Sequence, residues 1–231
     1  MNITFFANAK PFIRDWKEIQ KISILSWLKY GQVIISGDEE GVSEVCAEYG
    51  LIHAKYAKLN LKSQMEEVEQ LFQTDIVCRV MCDCVILDGI QSAYDIICDN
   101  PTWGVVAGRY NVPHLVEDIA KEREVYRSYP QSPLCSADAH IFSRGQLTQV
   151  PEIVLGMGGE DNWLNKFFIK NSKLVHSKDL ILLHQEHSRA YLRGPETPGW
   201  AENQQVYVEA GGGSNLDEAQ LVLENGILHA Q

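Results

Sequence analysis

The chain has 231 residues, 45% of them hydrophobic and 22% charged, a composition that fits a folded domain with a sizeable core and excludes wholesale disorder. Its formal charge of −11, from 20 Lys and Arg against 31 Asp and Glu with no long basic block, excludes a surface built to follow nucleic acid. No apolar run approaches the roughly 20 residues of a membrane span and no basic flank opens the chain, so a soluble, cytoplasmic protein is expected.

In chain order, residues 2–6 (NITFF) read as a strand. The segment from Asp15 has apolar residues at Trp16, Ile19, Ile22, Leu25 and Leu28, a helical period. QVIIS from Gln32 is a second buried strand, followed by an acidic turn (GDEEG), a helix over Val42–Tyr49 that stops at Gly50, and a short strand in LIHA. A helix near Ser63–Phe72, a strand near Ile76–Val80 leading into CDCVIL, and a helix starting near Gly89 continue the alternation. Repeated strand and helix imply a mainly parallel sheet, with ligands bound beyond the carboxyl ends of its strands. A second half follows: WGVVAGRY as strand, PHLVEDIAKEREVY as helix, DAHIFSRG as strand, a Gly-rich bend running into the helix EDNWLNKFFIKN, and strands in KLVHS and LILLHQEH. Pro195, Pro198 and Gly199 mark a long loop. GGGS from Gly211 reads as a flexible linker and LDEAQLVLENGILHA as a short amphipathic helix.

Six cysteines form no CxxC pair, which favours buried reduced thiols over a disulfide framework or zinc site. Three places carry candidate chemistry. Asp83 interrupts an apolar run, and a buried carboxylate needs a partner: a hard divalent ion, a set of hydrogen bonds, or a helix to cap. Glu160 and Asp161 follow glycines in GGEDNW, where one carboxylate serves as a general base or Asp161 caps the next helix. The glycine pattern GMGG lacks the third glycine of a dinucleotide fingerprint. His184 and His187 close an apolar strand; they act together as metal ligands only if the chain turns between them, and otherwise serve at the surface or as caps. Trp16, Trp27 and Trp163 sit at core helical positions, whereas Trp200 in PETPGWAEN suits stacking on a sugar ring.

The ordered set ANAKPF (7–12), IQKISILSW (19–27), IISGDEEGVSE (34–44), VMCDCVIL (80–87), WGVVAGRY (103–110), DAHIF (138–142), GMGGEDNWL (156–164), HQEH (184–187) and ENQQ (202–205) resembles a GT-A-type glycosyltransferase over about residues 2–205. It is most similar to small nucleotide-diphospho-sugar transferases with PKPF-like, DxD-like, DNWL and HQxH motifs. The resemblance implies an α/β, GT-A-like (Rossmann-like) single domain, with a central mixed, mainly parallel sheet flanked by helices. Residues 1–210 would be the catalytic domain, with a nucleotide-binding half (1–100) and an acceptor half (101–210), and 211–231 a Gly-rich linker and tail helix.

By that resemblance Asp83 matches the last Asp of the DxD-type motif, which meets the metal on the donor diphosphate. Asn8, Lys10 and Asp38 fall where such proteins contact the nucleotide, and His184 and His187 fall where a further metal ligand stands. Asp161, beside Glu160, matches the general base of inverting members. Met81 replaces the first acid of DxD, which leaves one motif carboxylate and opens a route in which Lys10 and Arg79 neutralise phosphate instead. The implied function is transfer of a sugar from a nucleoside-diphosphate sugar, UDP-sugar first, to the hydroxyl of an unknown glycan or small-molecule acceptor, with manganese or magnesium as cofactor. The alternatives are a non-catalytic nucleotide- or sugar-binding relative and a nucleotidyltransferase, the latter disfavoured because ANAKPF supplies no Gly-rich phosphate loop.

Overall fold

The computed structural model describes residues 1–187 and 194–231. The elements in order are β1 (Ile3–Asn8), α1 (Arg14–Leu28), β2 (Gly31–Ser36), α2 (Val42–Tyr49), β3 (Ile52–Ala54), α3 (Leu61–Val68), β4 (Ile76–Val80), β5 (Cys84–Asp88), α4 (Ile90–Asp99), β6 (Gly104–Ala107), β7 (Tyr110–Val112), α5 (Ile119–Val125), β8 (Ala139–Ser143), α6 (Glu160–Asn171), β9 (Leu174–Ser177), β10 (Ile181–Gln185), α7 (Trp200–Glu209), β11 (Leu221–Glu224) and β12 (Ile227–Ala230). Among the described residues, nine strands form one sheet in the order β12-β11-β9-β6-β8-β4-β1-β2-β3, and β5-β10-β7 form a second. In the large sheet, β8 runs against β4 and β6, and β12 runs against β11; the remaining pairings are parallel. The carboxyl ends of β1, β2, β4, β6 and β9 therefore share one edge. No helix among the described residues is long and apolar enough to cross a membrane.

Both faces of the large sheet are buried at its central strands, which is why β1, β4 and β6 read as apolar runs rather than alternating ones. Along β1, Phe5 belongs to one core cluster, with Trp27 and Ile86, and Phe6 to the other, with Phe142 and Phe168. Trp27 stacks on Phe5 with centroids 6.4 Å apart, and its indole N–H donates to the Cys84 carbonyl at 3.0 Å. With the Ile86 N–H donating to Ser26 Oγ at 3.0 Å, that bond ties α1 to β5 of the small sheet.

The sequence reading and the structure differ in five segments. LDEAQLVLENGILHA, expected as a helix, is a hairpin: β11 pairs in parallel with β9 and antiparallel with β12. Asn225 and Gly226 both adopt positive φ (55° and 73°), the conformation that an Asn-Gly hairpin turn requires. GGGS is not a free linker at its end, because Ser214 is buried and its N–H donates to the Asn162 carbonyl on α6. Residues 194–199 form turns, as Pro195, Pro198 and Gly199 imply, but Trp200 opens α7 instead of standing on that loop. WGVVAGRY is divided, β6 going to the large sheet and β7 to the small one, and PHLVEDIAKEREVY is helical only from Ile119, where Asp118 accepts from the Ala120 and Lys121 amides.

Replacing Trp27 by Phe keeps most of the stacking but strands the buried Cys84 carbonyl, so urea unfolding should show a loss of about 1–3 kcal/mol. An unchanged midpoint would mean that this bond does not anchor the small sheet.

Candidate active site and metal centre

Asp83 lies in the turn that carries the chain from β4 in the large sheet to β5 in the small one, with the Cys84 N–H closing the turn on the Met81 carbonyl. The apolar run CDCVIL thus contains a turn between two buried strands, and the carboxylate sits at the carboxyl edge of the sheet. The Asp83 carboxylate meets two imidazoles: His187 Nε2 lies 3.2 Å and His184 Nε2 3.5 Å from its Oδ2. Burial opposes ionisation of Asp83, but the hydrogen bonds and charge of His184 and His187 outweigh it and hold the carboxyl well below the usual carboxylate range.

The two histidines converge on Asp83 with the end of the strand between them: β10 ends at Gln185, with His184 paired to Cys84 across the small sheet. Gln185 is fully buried and holds this strand end in place. Its Oε1 accepts from the Val116 N–H at 2.9 Å, its Nε2 donates to the Ile19 carbonyl at 3.0 Å, and its own N–H donates to the Asp83 carbonyl at 3.3 Å. The His187 ring packs on Trp16 of α1 with centroids 4.0 Å apart.

Among the described residues, Asp83, His184 and His187 form a group able to hold a metal, with one donor atom from each within 4.8 Å of the others. Two imidazoles and a carboxylate suit a first-row transition ion better than magnesium, which prefers an oxygen shell. The neighbouring thiols do not compete: burial, reinforced by the Asp83 charge, pushes Cys82 and Cys84 far above the ordinary thiol range. All six cysteines are free, four of them buried, with Cys98 and Cys135 exposed.

Asp161 sits in the first turn of α6, whose N-cap is Gly159, so it is not the capping residue. Its Oδ1 accepts from the Asn162 N–H at 2.9 Å and its Oδ2 from the Ala137 N–H at 3.5 Å. Burial first, then the charges of Glu160 and Asp138, push its carboxyl up to about 7. Glu160 has a different setting: it is buried, its Oε1 accepts from the Gly156 N–H, and the same oxygen lies 3.8 Å from the Arg79 guanidinium. Arg79 shares the face of β4 with Val77, which packs in the cluster containing Phe168 of α6. It is a buried partner of Glu160 rather than an exposed phosphate ligand.

The other sequence-predicted residues occupy the same sheet edge. Asn8 ends β1 and accepts a hydrogen bond from the Tyr56 hydroxyl. Lys10 reaches the Gly-rich bend: a Cβ on Gly156, which has φ +74°, would come within 2.9 Å of its ammonium nitrogen. Asp38 follows β2, is exposed, and pairs with Lys55 at 2.7 Å. Trp200 lies beside the bend, near Gly158.

Sequence reasoning missed Asp138 and Arg109. Arg109 Nη1 lies 2.6 Å from the buried Asp138 Oδ1, and burial raises the Asp138 carboxyl above its ordinary range despite that partner. A polar residue directly before an apolar strand was the available signal, and it is a weak one.

No family model matches the chain and no curated protein does. Solved structures match in fold. Mycobacterium tuberculosis glucosyl-3-phosphoglycerate synthase in complex with Mn2+ and UDP-glucose aligns with a TM-score of 0.53 at 12% identity, over 100% of this chain and 86% of that one. The same enzyme with Mn2+, UDP and phosphoglyceric acid gives 0.51 at 11% identity, with the same coverage. Staphylococcus aureus TarS gives 0.52 at 11% identity over 80% of this chain, which spans only 37% of the TarS chain. The chain has the GT-A-type fold of these glycosyltransferases.

Because its partners depress Asp83, the carboxylate stabilises the fold above the ordinary Asp value of 3.8, and that contribution is lost as pH falls through its lower folded value. The unfolding free-energy difference between wild type and Asp83→Asn should therefore shrink as pH is lowered from 7 to below 3. A difference independent of pH would show that the histidines do not hold the charge.

Proposed function

We propose that the protein is a nucleotide-sugar-dependent glycosyltransferase that binds its donor at the carboxyl edge of the large sheet. The observation that carries this reading is the Asp83, His184 and His187 cluster at that edge of a GT-A-type fold. In this reading the three side chains would hold a divalent ion, manganese in preference to magnesium. When bound, that ion supplies positive charge for the donor diphosphate and its departure. Asn8, Lys10 and Asp38 line the first half of the edge, where they contact the nucleotide and phosphates, with a UDP-sugar as the first donor to test.

Asp161 acts as the general base. The acceptor hydroxyl gives its proton to the Asp161 carboxylate, the oxygen bonds to the anomeric carbon from the face opposite the diphosphate, and the bond from that carbon to the phosphate oxygen breaks, which inverts the centre. Glu160, engaged by Arg79 and the Gly156 amide, positions the start of α6 rather than taking the proton. Met81 in place of the first DxD acid favours a second reading, a non-catalytic nucleotide-binding relative. Donor hydrolysis by the purified protein separates the two.

Calorimetric titration with UDP, GDP, CDP and ADP should give binding of one nucleotide that depends on manganese, is at least about tenfold weaker with magnesium, and is lost in Asp83→Ala. Absence of binding for all four with either ion would remove the donor site.

A base that must be ionised, with its carboxyl near 7, predicts kcat/KM rising with pH through about 7 and levelling above it. Asp161→Asn should lose transfer by about 100-fold or more. The same raised value means that wild type loses stability as pH climbs from about 4 to 7, since the unfolded chain releases that proton first, so Asp161→Asn should resist urea better than wild type at pH 8. Near-full transfer by Asp161→Asn would assign the base elsewhere.

A further inference from the structure

A cleft of about 650 Å³ opens between the far end of the small sheet and the ends of β6, β9 and β11, within the range of small-molecule sites. None of Asp83, Asp161, His184 or His187 lines it. Arg109 connects it to the metal centre. That side chain lines the cleft, pairs with Asp138 at 2.6 Å, and donates through Nε at 3.2 Å to Asn111, the residue paired with His184 across β7 and β10. One side chain, Arg109, thus meets both the cleft and the strand residue paired with His184.

Its lining has a definite chemical character. Three carboxylates (Asp88, Asp179, Glu224) balance three cations (Arg109, Arg127, Lys178), so the walls carry no net charge within a chain of formal charge −11. Most of these charges are already engaged: Lys178 lies 3.3 Å from Glu224, Asp179 accepts from the Asn225 and Gly226 amides at 2.7 Å, and Arg109 is held by Asp138. An anionic ligand finds no unbalanced positive field there.

At one wall Tyr110 and Tyr126 meet edge to face, with centroids 5.1 Å apart at 84°. The Arg127 guanidinium lies 5.1 Å from the Tyr126 ring centroid, and Gln131 donates to the Tyr110 hydroxyl at 2.7 Å. Aromatic faces beside planar guanidinium, amide and carboxylate groups suit a ligand that presents C–H faces and paired hydroxyls, without charge. A peptide would need deep aliphatic anchor pockets, and of the aliphatic residues in the lining Leu180, Ile181 and Leu216 are buried while Leu134 is exposed.

We propose that this cleft binds a neutral oligosaccharide and holds the part of the glycosyl acceptor that extends away from the reacting hydroxyl. The role as acceptor site rests on the transferase reading; binding of the sugar chain does not. The inference narrows the acceptor from any hydroxyl compound to an uncharged glycan of a few units, and it makes Tyr126, Arg127 and the α4 face at Ser92 determinants of acceptor choice.

The test uses the full chain and four neutral probes, cellotriose, maltotriose, mannotriose and triacetylchitotriose, followed by saturation-transfer NMR and calorimetry. At least one should bind. Tyr126→Ala should weaken it about tenfold. Ser92→Trp, which fills the cleft from a helix surface, should abolish it, with circular dichroism melts showing that each variant folds. UDP binding with manganese should be unchanged in both variants. Binding of none of the probes, binding indifferent to both variants, or displacement of the sugar by equimolar inorganic phosphate would overturn the proposal. The two readings fail separately: UDP binding without sugar binding removes the cleft assignment alone, and sugar binding without any nucleotide binding removes the transferase assignment while the cleft stands as a carbohydrate site.

Discussion

The structure turns on a buried carboxylate. Asp83 occupies the short link from β4 in the large sheet to β5 in the small one, where an ionised group without a partner would cost several kcal/mol, by the general penalty for burying unpaired charge. The chain meets that demand from about a hundred residues away, bringing His184 and His187 onto one carboxylate oxygen. Everything that fixes the histidines also fixes the relation of the two sheets: the β5 and β10 pairing, the Gln185 side chain reaching α1 and the segment before α5, and the indole of Trp27 on the Cys84 carbonyl. A group of polar atoms that looks like a binding site is thus also the joint of the fold.

That coupling explains why the site was partly legible. An Asp between two buried cysteines contradicts the local apolar pattern, and such a contradiction is what a functional site looks like in sequence. The spacing of His184 and His187 left open whether they act together, and the structure brings both onto one Asp83 oxygen with the end of β10 between them. The helix Val42–Tyr49 was readable to the residue because Gly50 takes the left-handed conformation at its end, with φ +65°. The parallel strands were readable because burial on both faces makes them continuous apolar runs.

Other features were hidden for identifiable reasons. The β11 and β12 hairpin was masked by helix-favouring residues in LDEAQ, although Asn225-Gly226 was a sufficient turn signal and its flanks have the length of paired strands. α7 has a weak apolar face and follows two prolines, so local propensity pointed to a loop; its place is set by long-range bonds, Asn203 to the Val154 amide at 2.6 Å and the Tyr207 ring against Gly159, where a Cβ would approach within 2.7 Å. Arg109 and Asp138 lie far apart in sequence and meet only because β6 and β8 pair antiparallel, with Ala107 opposite Ala139. No periodicity encodes a contact of that kind.

Glu160 and Asp161 show how neighbouring acids acquire different work. One helical step of about 100° turns them to different surroundings. Glu160 points into the sheet side, toward Arg79 and the Gly156 amide, and its charge has a partner. Asp161 has no ion pair among the described residues and feels the charges of Glu160 and Asp138, so its proton is held to about 7. Burial of Asp161, with the Glu160 and Asp138 charges beside it, raises its basicity. Separation of two carboxyls by environment is a recurrent way for a protein to obtain a usable base near neutral pH. Here it follows from placing the pair at the first turn of a helix docked against the sheet, with a single arginine on one side of it.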